Sequence, residues 1–225
     1  NAGGAVTSRN NDKFDDLLGV AFGNDTFVAV GKSGRVSANA GDLENDWQFP
    51  NIGFTNNLTG IAFGNGVFVA VGGYSTNETA LQTVGIFTSA NGTNWTRTFT
   101  APAVTNATTA EIGYVTDVAF GDGKFVAVSP AGVALVSTNG TDWTTFTSPG
   151  LLTLSRVSYA GDRFVATGLA IAYSLDGEKW FRVILNAPEQ PLNAAASDGK
   201  LYLAVGSVPS LVVTTNQLEW TAATL

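Results

Sequence analysis

The chain has 225 residues, enough for one sizeable core, and its 18 acidic against 11 basic side chains leave a net charge of −7. That balance argues against a nucleic-acid partner, whose phosphates call for a basic surface. The absence of His and Cys excludes Ser-His-Asp and Cys-His nucleophile systems and the usual zinc sites, so no metal or cofactor is expected.

No apolar run approaches the ~18 residues of a membrane span, so membrane insertion is not expected. The start at Asn1 reads as a processed or excised chain. Richness in Thr, Asn and Gly points to a secreted or cell-surface protein. Seven Asn-x-Ser/Thr sequons occur, but those at Asn91 and Asn139 are part of a repeated turn and need no glycan to explain them.

In chain order, Asn1–Lys13 belongs to no repeat. It reads as a linker, as an extra strand, or as an arm that adds to a neighbour's sheet edge and so makes a homo-oligomer. Residues 14–225 read as a single domain of five repeats. Each repeat carries a buried-type strand: Phe27-Val-Ala-Val-Gly31, Phe68-Val-Ala-Val-Gly72, Phe125-Val-Ala-Val-Ser129, Phe164-Val-Ala-Thr-Gly168 and Tyr202-Leu-Ala-Val-Gly206. Each repeat then closes on a tryptophan: Trp47, Trp95, Trp143, Trp180 or Trp220. Such periods mean an array of supersecondary units.

The second unit shows the pattern best. Leu58–Phe63 and Val67–Gly72 flank Gly64-Asn-Gly66, a hairpin signal because both turn residues tolerate positive φ. Val84–Ser89 and Trp95–Thr100 supply a third and a fourth strand. The third unit repeats this with Val115–Phe120, Lys124–Ser129, Gly132–Ser137 and Trp143–Ser148. The Phe-Val-Ala-Val strand is apolar on both alternating faces, so each sheet must lie between two others. That is the arrangement of propeller blades, and a five-bladed β-propeller of four-stranded antiparallel blades is expected, with the Phe and Trp residues in the core.

The turns Ser89-Ala-Asn-Gly-Thr-Asn-Trp95, Ser137-Thr-Asn-Gly-Thr-Asp-Trp143 and Ser174-Leu-Asp-Gly-Glu-Lys-Trp180 resemble the Asp-box (BNR-type) repeat of sialidase-like propellers. They lack one residue of the full motif. In that family the box is a structural hairpin; the five units over residues 17–225 resemble the small five-bladed propellers, a class that includes both lectins and glycosidases. The six arginines fall at different positions in their units, so the sialidase arginine cluster is not carried over.

Asp117 and Arg156 are the only charges on innermost strands, where the other units have Gly19, Gly60 and Ala194. They are expected to form a channel ion pair. Every long connection but one falls on the face opposite the Asn-Gly hairpins, and insertions on one face of a repeat protein mark its binding side. The exposed aromatics expected there are Phe54, Tyr74 and Tyr114, with the acids Glu78 and Glu111. The resulting expectation is a non-catalytic, glycan-recognising binding or adhesion module, its partner a glycan or a surface protein. A carbohydrate-active enzyme and a structural subunit of a surface assembly are the alternatives.

Overall fold

The structure, a computed structural model, describes residues 16–41, 47–74, 83–99, 113–183, 191–206, 211–215 and 221–222. Among them nineteen strands form five antiparallel sheets and there is no α-helix. The first sheet holds β1 (Leu17–Gly23), β2 (Thr26–Gly31) and β3 (Val36–Asn39). The second holds β4 (Leu58–Gly64), β5 (Val67–Gly72), β6 (Gly85–Ser89) and β7 (Thr96–Phe99). The third holds β8 (Asp117–Gly121), β9 (Lys124–Ser129), β10 (Ala131–Ser137) and β11 (Thr144–Leu152). The fourth holds β12 (Leu154–Ala160), β13 (Arg163–Gly168), β14 (Ile171–Ser174) and β15 (Phe181–Val183). The fifth holds β16 (Leu192–Ser197), β17 (Tyr202–Gly206), β18 (Leu211–Thr214) and β19 (Thr221–Ala222).

Every sheet is a simple meander, strand pairing with the next in sequence. The first sheet stops at three strands, with Gln48 bridging to Ala38 through a pair of backbone bonds of 2.9 and 2.8 Å. Two residues on stands Pro50, which has no N–H to extend that ladder.

The hairpin chemistry behaves as the sequence implies. Asn65 and Gly66 turn with φ of 47° and 79°, Asp122 and Gly123 with 47° and 71°, and Asn24 and Asp25 with 46° and 55°. Asn24 donates its side-chain amide to the carbonyls of Gly66 (3.0 Å) and Ala90 (2.9 Å) in the second sheet. Asn65 does the same to Gly123 (3.0 Å) and Thr138 (2.8 Å) in the third. The turn residue therefore also straps one sheet to the next.

The Ser-x-Asx-Gly turns are closed by their own side chains. Ser137 Oγ accepts from the Gly140 N–H (2.8 Å), Asn139 Oδ1 from those of Thr141 and Asp142 (both 2.9 Å), and Trp143 Nε1 donates to the Gly140 carbonyl (2.9 Å). The turns at Gly92 and Gly177 repeat this network. The indoles that roof these turns enter the core to different depths, those of Trp95 and Trp143 packing against core clusters from its edge. Trp180 is buried, Trp95 and Trp143 are partly buried, Trp47 is exposed, and Trp220 lies outside the described residues.

The core is divided between sheets. One cluster joins Val28 and Val30 of the first sheet to Phe68 and Ala70 of the second. Others join Val69 and Val71 to Phe125 and Ala127, Val126 and Val128 to Phe164 and Ala166, and Val165 and Ile171 to Tyr202 and Ala204. At three of these junctions a ring from one sheet lies on a glycine of the sheet before it. A Cβ on Gly23, Gly64 or Gly121 would come within 2.1, 2.1 or 2.0 Å of Phe63, Phe120 or Tyr159. The alanine of the Phe-Val-Ala-Val strand is nearly or completely buried in all five sheets. First strands pack in succession, β1 on β4, β4 on β8, β8 on β12 and β12 on β16. Among the described strands β16 and β1 do not pack against each other in that way.

Candidate functional site

A register irregularity recurs at the start of the first strands: between Leu17 and Gly19, Leu58 and Gly60, Leu154 and Arg156, and Leu192 and Ala194. In the third sheet the N–H of Thr116 bonds to the carbonyl of Val128 (2.9 Å), the residue that faces Asp117. A bulge of this kind re-aims the side chain of the extra residue. In the second, third and fourth sheets the re-aimed residues are Thr59, Thr116 and Ser155, and all three line one cleft of about 240 Å³. Tyr74, Tyr114 and Arg156 complete its lining.

The two tyrosines stand together, ring centroids 5.4 Å apart and planes tilted by 52°. Tyr74 is held by backbone bonds at the stem of the Gly73–Thr83 insertion. Its carbonyl accepts from the Asn57 N–H (2.9 Å), the Gly73 N–H bonds to the Asn57 carbonyl (3.0 Å), and the Thr83 N–H bonds to the Gly73 carbonyl (3.3 Å). Gly73 has φ of 139°, and a Cβ there would strike the Thr83 carbonyl at 2.0 Å, so glycine is required for the stem to close.

The other expected site residues are placed differently. Phe54 is buried at 8% exposure, packed on Phe87 at 5.1 Å with the Arg97 guanidinium 5.4 Å from its ring centroid. It is a core residue, since the loop that carries it folds back over Gly85, where no Cβ could fit. Glu78 and Glu111 lie outside the described residues, as does the segment Asn1–Lys13.

Asp117 sits beside the cleft, over Gly60 of the second sheet, where a Cβ would meet its Oδ1 at 2.6 Å. Its Oδ1 accepts from the Val118 N–H (3.0 Å) and its Oδ2 from the Val157 N–H of the fourth sheet (3.1 Å). One carboxylate therefore spans three consecutive sheets. Burial pushes its pKa up to about 6, against the lowering effects of the Val157 N–H, the Arg156 charge and the Val118 N–H. The expected ion pair with Arg156 is absent from the salt bridges among the described residues. Arg156 is exposed, acts on Asp117 only through space, and is directed to the cleft that it lines. The backbone N–H of Val157 takes the place assigned to the guanidinium.

One cluster escaped the sequence reading. On the hairpin side of the fourth sheet, Asp162 accepts two bonds from Arg163 (2.8 and 3.1 Å) and one from the Tyr202 hydroxyl of the fifth sheet (2.9 Å). The Arg163 bonds lead in bringing its pKa down to about 2. The signal was the replacement of the usual turn by Gly161-Asp-Arg163, where Asp and Arg follow in sequence. The cluster braces two sheets, and none of its residues lines the cleft of Tyr74 and Tyr114.

No known protein family and no curated protein sequence matches this chain. Solved structures do match. A streptogramin B lyase superposes with a TM-score of 0.69 at 11% identity, over 93% of this chain and 68% of that one. Ycf48 from Cyanidioschyzon merolae gives 0.63 at 16%, over 91% and 68%. The WD40 β-propeller domain of Doa1 gives 0.60 at 14%, over 90% and 66%. The chain thus spans about two thirds of the length of the structures it matches. At these identities the likeness is one of fold, and the fold shared is that of β-propellers.

Proposed function

We propose that the chain is a five-bladed propeller unit with Asp-box-like turns, secreted or surface-displayed, that acts as a non-catalytic binding module for a glycan. The observation that carries this reading is the convergence of six residues, from neighbouring sheets and the connections beside them, on one cleft, two of them tyrosines in mutual contact. Aromatic faces stack on sugar rings at low entropic cost. The hydroxyls of Thr59 and Thr116, whose protons go to the carbonyls of Val115 (3.3 Å) and Val128 (3.1 Å), keep lone pairs that can accept from a polyhydroxyl ligand beside Ser155. Against catalysis, both oxygens of Asp117 are engaged by backbone N–H groups, and no second carboxylate lines the cleft among the described residues.

A peptide carboxylate is the second reading. It is favoured by the exposed Arg156 in the cleft and by a Ycf48 structure bound to a D1 peptide, similar to this chain at 17% identity. A glycan array and a peptide array on the purified chain separate the two. The double variant Tyr74→Ala/Tyr114→Ala is expected to abolish the hits with the melting temperature kept within a few degrees. Binding that survives it, or turnover of a glycoside by the wild type, overturns the reading.

A further inference from the structure

The two end faces of the row of sheets differ from every interior face. Phe27 occupies the position of Phe68, Phe125, Phe164 and Tyr202, which are at most 2% exposed, yet it is 40% exposed. Val20 is 68% exposed, whereas its counterparts Ile61, Val118 and Val157 lie between 4 and 9%. Phe22, at 55%, corresponds to Phe63, Phe120 and Tyr159, the rings that rest on a glycine of the preceding sheet. At the far end Val205 is 40% exposed, where Val30, Val71 and Val128 are fully buried.

These faces are not alike. In each interior junction, one sheet contributes the positions of Val28 and Val30, and the next contributes those of Val20 and Phe27. The first sheet presents only the second kind of face and the fifth sheet only the first kind. Each end is therefore the missing half of the other. An uncovered face of this kind on β1 and β2 costs free energy in water in proportion to its apolar area. Among the described residues β16 and β1 do not pack against each other as the first strands of neighbouring sheets do, and Val20 and Phe27 stay exposed.

We infer that the chain associates head to tail with a second copy of itself, the face of Val20, Phe22 and Phe27 on one copy docking against the Val205 face of the next. The contact continues an interface that the chain already makes four times within itself. It is heterologous, so it closes into a ring or propagates, according to the rotation per sheet.

The mass of the 225-residue chain is measured by sedimentation velocity across a wide concentration range. A dimer or larger species that dissociates on dilution is expected. Val20→Asp and Val205→Asp, each at a solvent-facing site, are expected to be monomeric with an unchanged far-ultraviolet spectrum, association weakening at least about tenfold. An equimolar mixture of the two variants retains one intact junction and is expected to give a dimer and nothing larger. A wild type that stays monomeric overturns the inference. If Val20→Asp then lowers its melting temperature, the two ends meet within one chain; if it leaves the melting temperature unchanged, the faces await a different polypeptide. Variants that each still associate alone, or a mixture that does not pair, overturn the head-to-tail geometry.

Discussion

Asp117 and Asp162 are carboxylates with opposite titration behaviour, and the cause in each case is what surrounds the oxygens. Asp117 is desolvated between three sheets, so its folded pKa of about 6 lies above the unfolded value. The folded state then binds its proton more tightly, and stability from this group is greatest below about pH 4 and falls as pH rises toward 6. The stability difference between wild type and Asp117→Asn should therefore shift against the wild type over that interval in denaturant titrations. A difference that moves in the wild type's favour would mean that the N–H groups of Val118 and Val157 outweigh desolvation. Asp162, with its pKa near 2, contributes stability above about pH 4 that is lost on acidification. Arg156 makes no contact ion pair, so its coupling to Asp117 in a double-mutant cycle should stay under about 0.5 kcal/mol. Arg156→Gln should instead weaken binding at the cleft.

At the scale of the element, the turns do two jobs, closing their own hairpin and fastening it to the next sheet. Asn65→Asp keeps a residue tolerant of its φ of 47° but removes both amide donations, to Gly123 and Thr138. A loss of about 1–2 kcal/mol is expected in thermal or urea unfolding, the sum of two exposed hydrogen bonds. Trp143→Ala removes a half-buried ring and the indole bond to Gly140, for about 2–3 kcal/mol, less than a fully buried tryptophan would cost. A change below 1 kcal/mol would show that the roof over the turn is dispensable.

At the scale of the molecule, the same repeat position has a different energetic value according to its place in the row. Phe125 lies at an interior junction, fully buried, while Phe27 lies on the uncovered end. Phe125→Ala should cost about 3–5 kcal/mol, and Phe27→Ala about 1 kcal/mol when measured at dilution low enough to keep the chain monomeric. Equal costs would mean that the first face is covered after all.

The repeats, the hairpin turns and the double-sided apolar strands were legible from the residues, because strand period, positive-φ turn residues and recurring Phe-Val-Ala-Val segments act locally. The strands of the second and third units fell within a residue or two of their expected bounds for that reason, except that β11 runs on to Leu152. The cleft was half legible. Tyr74 and Tyr114 could be singled out as aromatics beside long excursions, but no local pattern announces that a bulge turns Thr59, Thr116 and Ser155 toward them. Phe54 and Arg156 were misplaced because burial and ion pairing depend on what other segments bring near: Gly85 makes room for one, and the Val157 N–H displaces the other. The sequence by itself determined that the chain builds repeated small sheets that must stack, since a strand apolar on both faces has no other way to leave water. Only the tertiary structure decided that Val20, Phe27 and Val205 stay exposed while the same positions inside the row are buried, because burial depends on whether a neighbouring sheet lies against the face and is written in no single repeat.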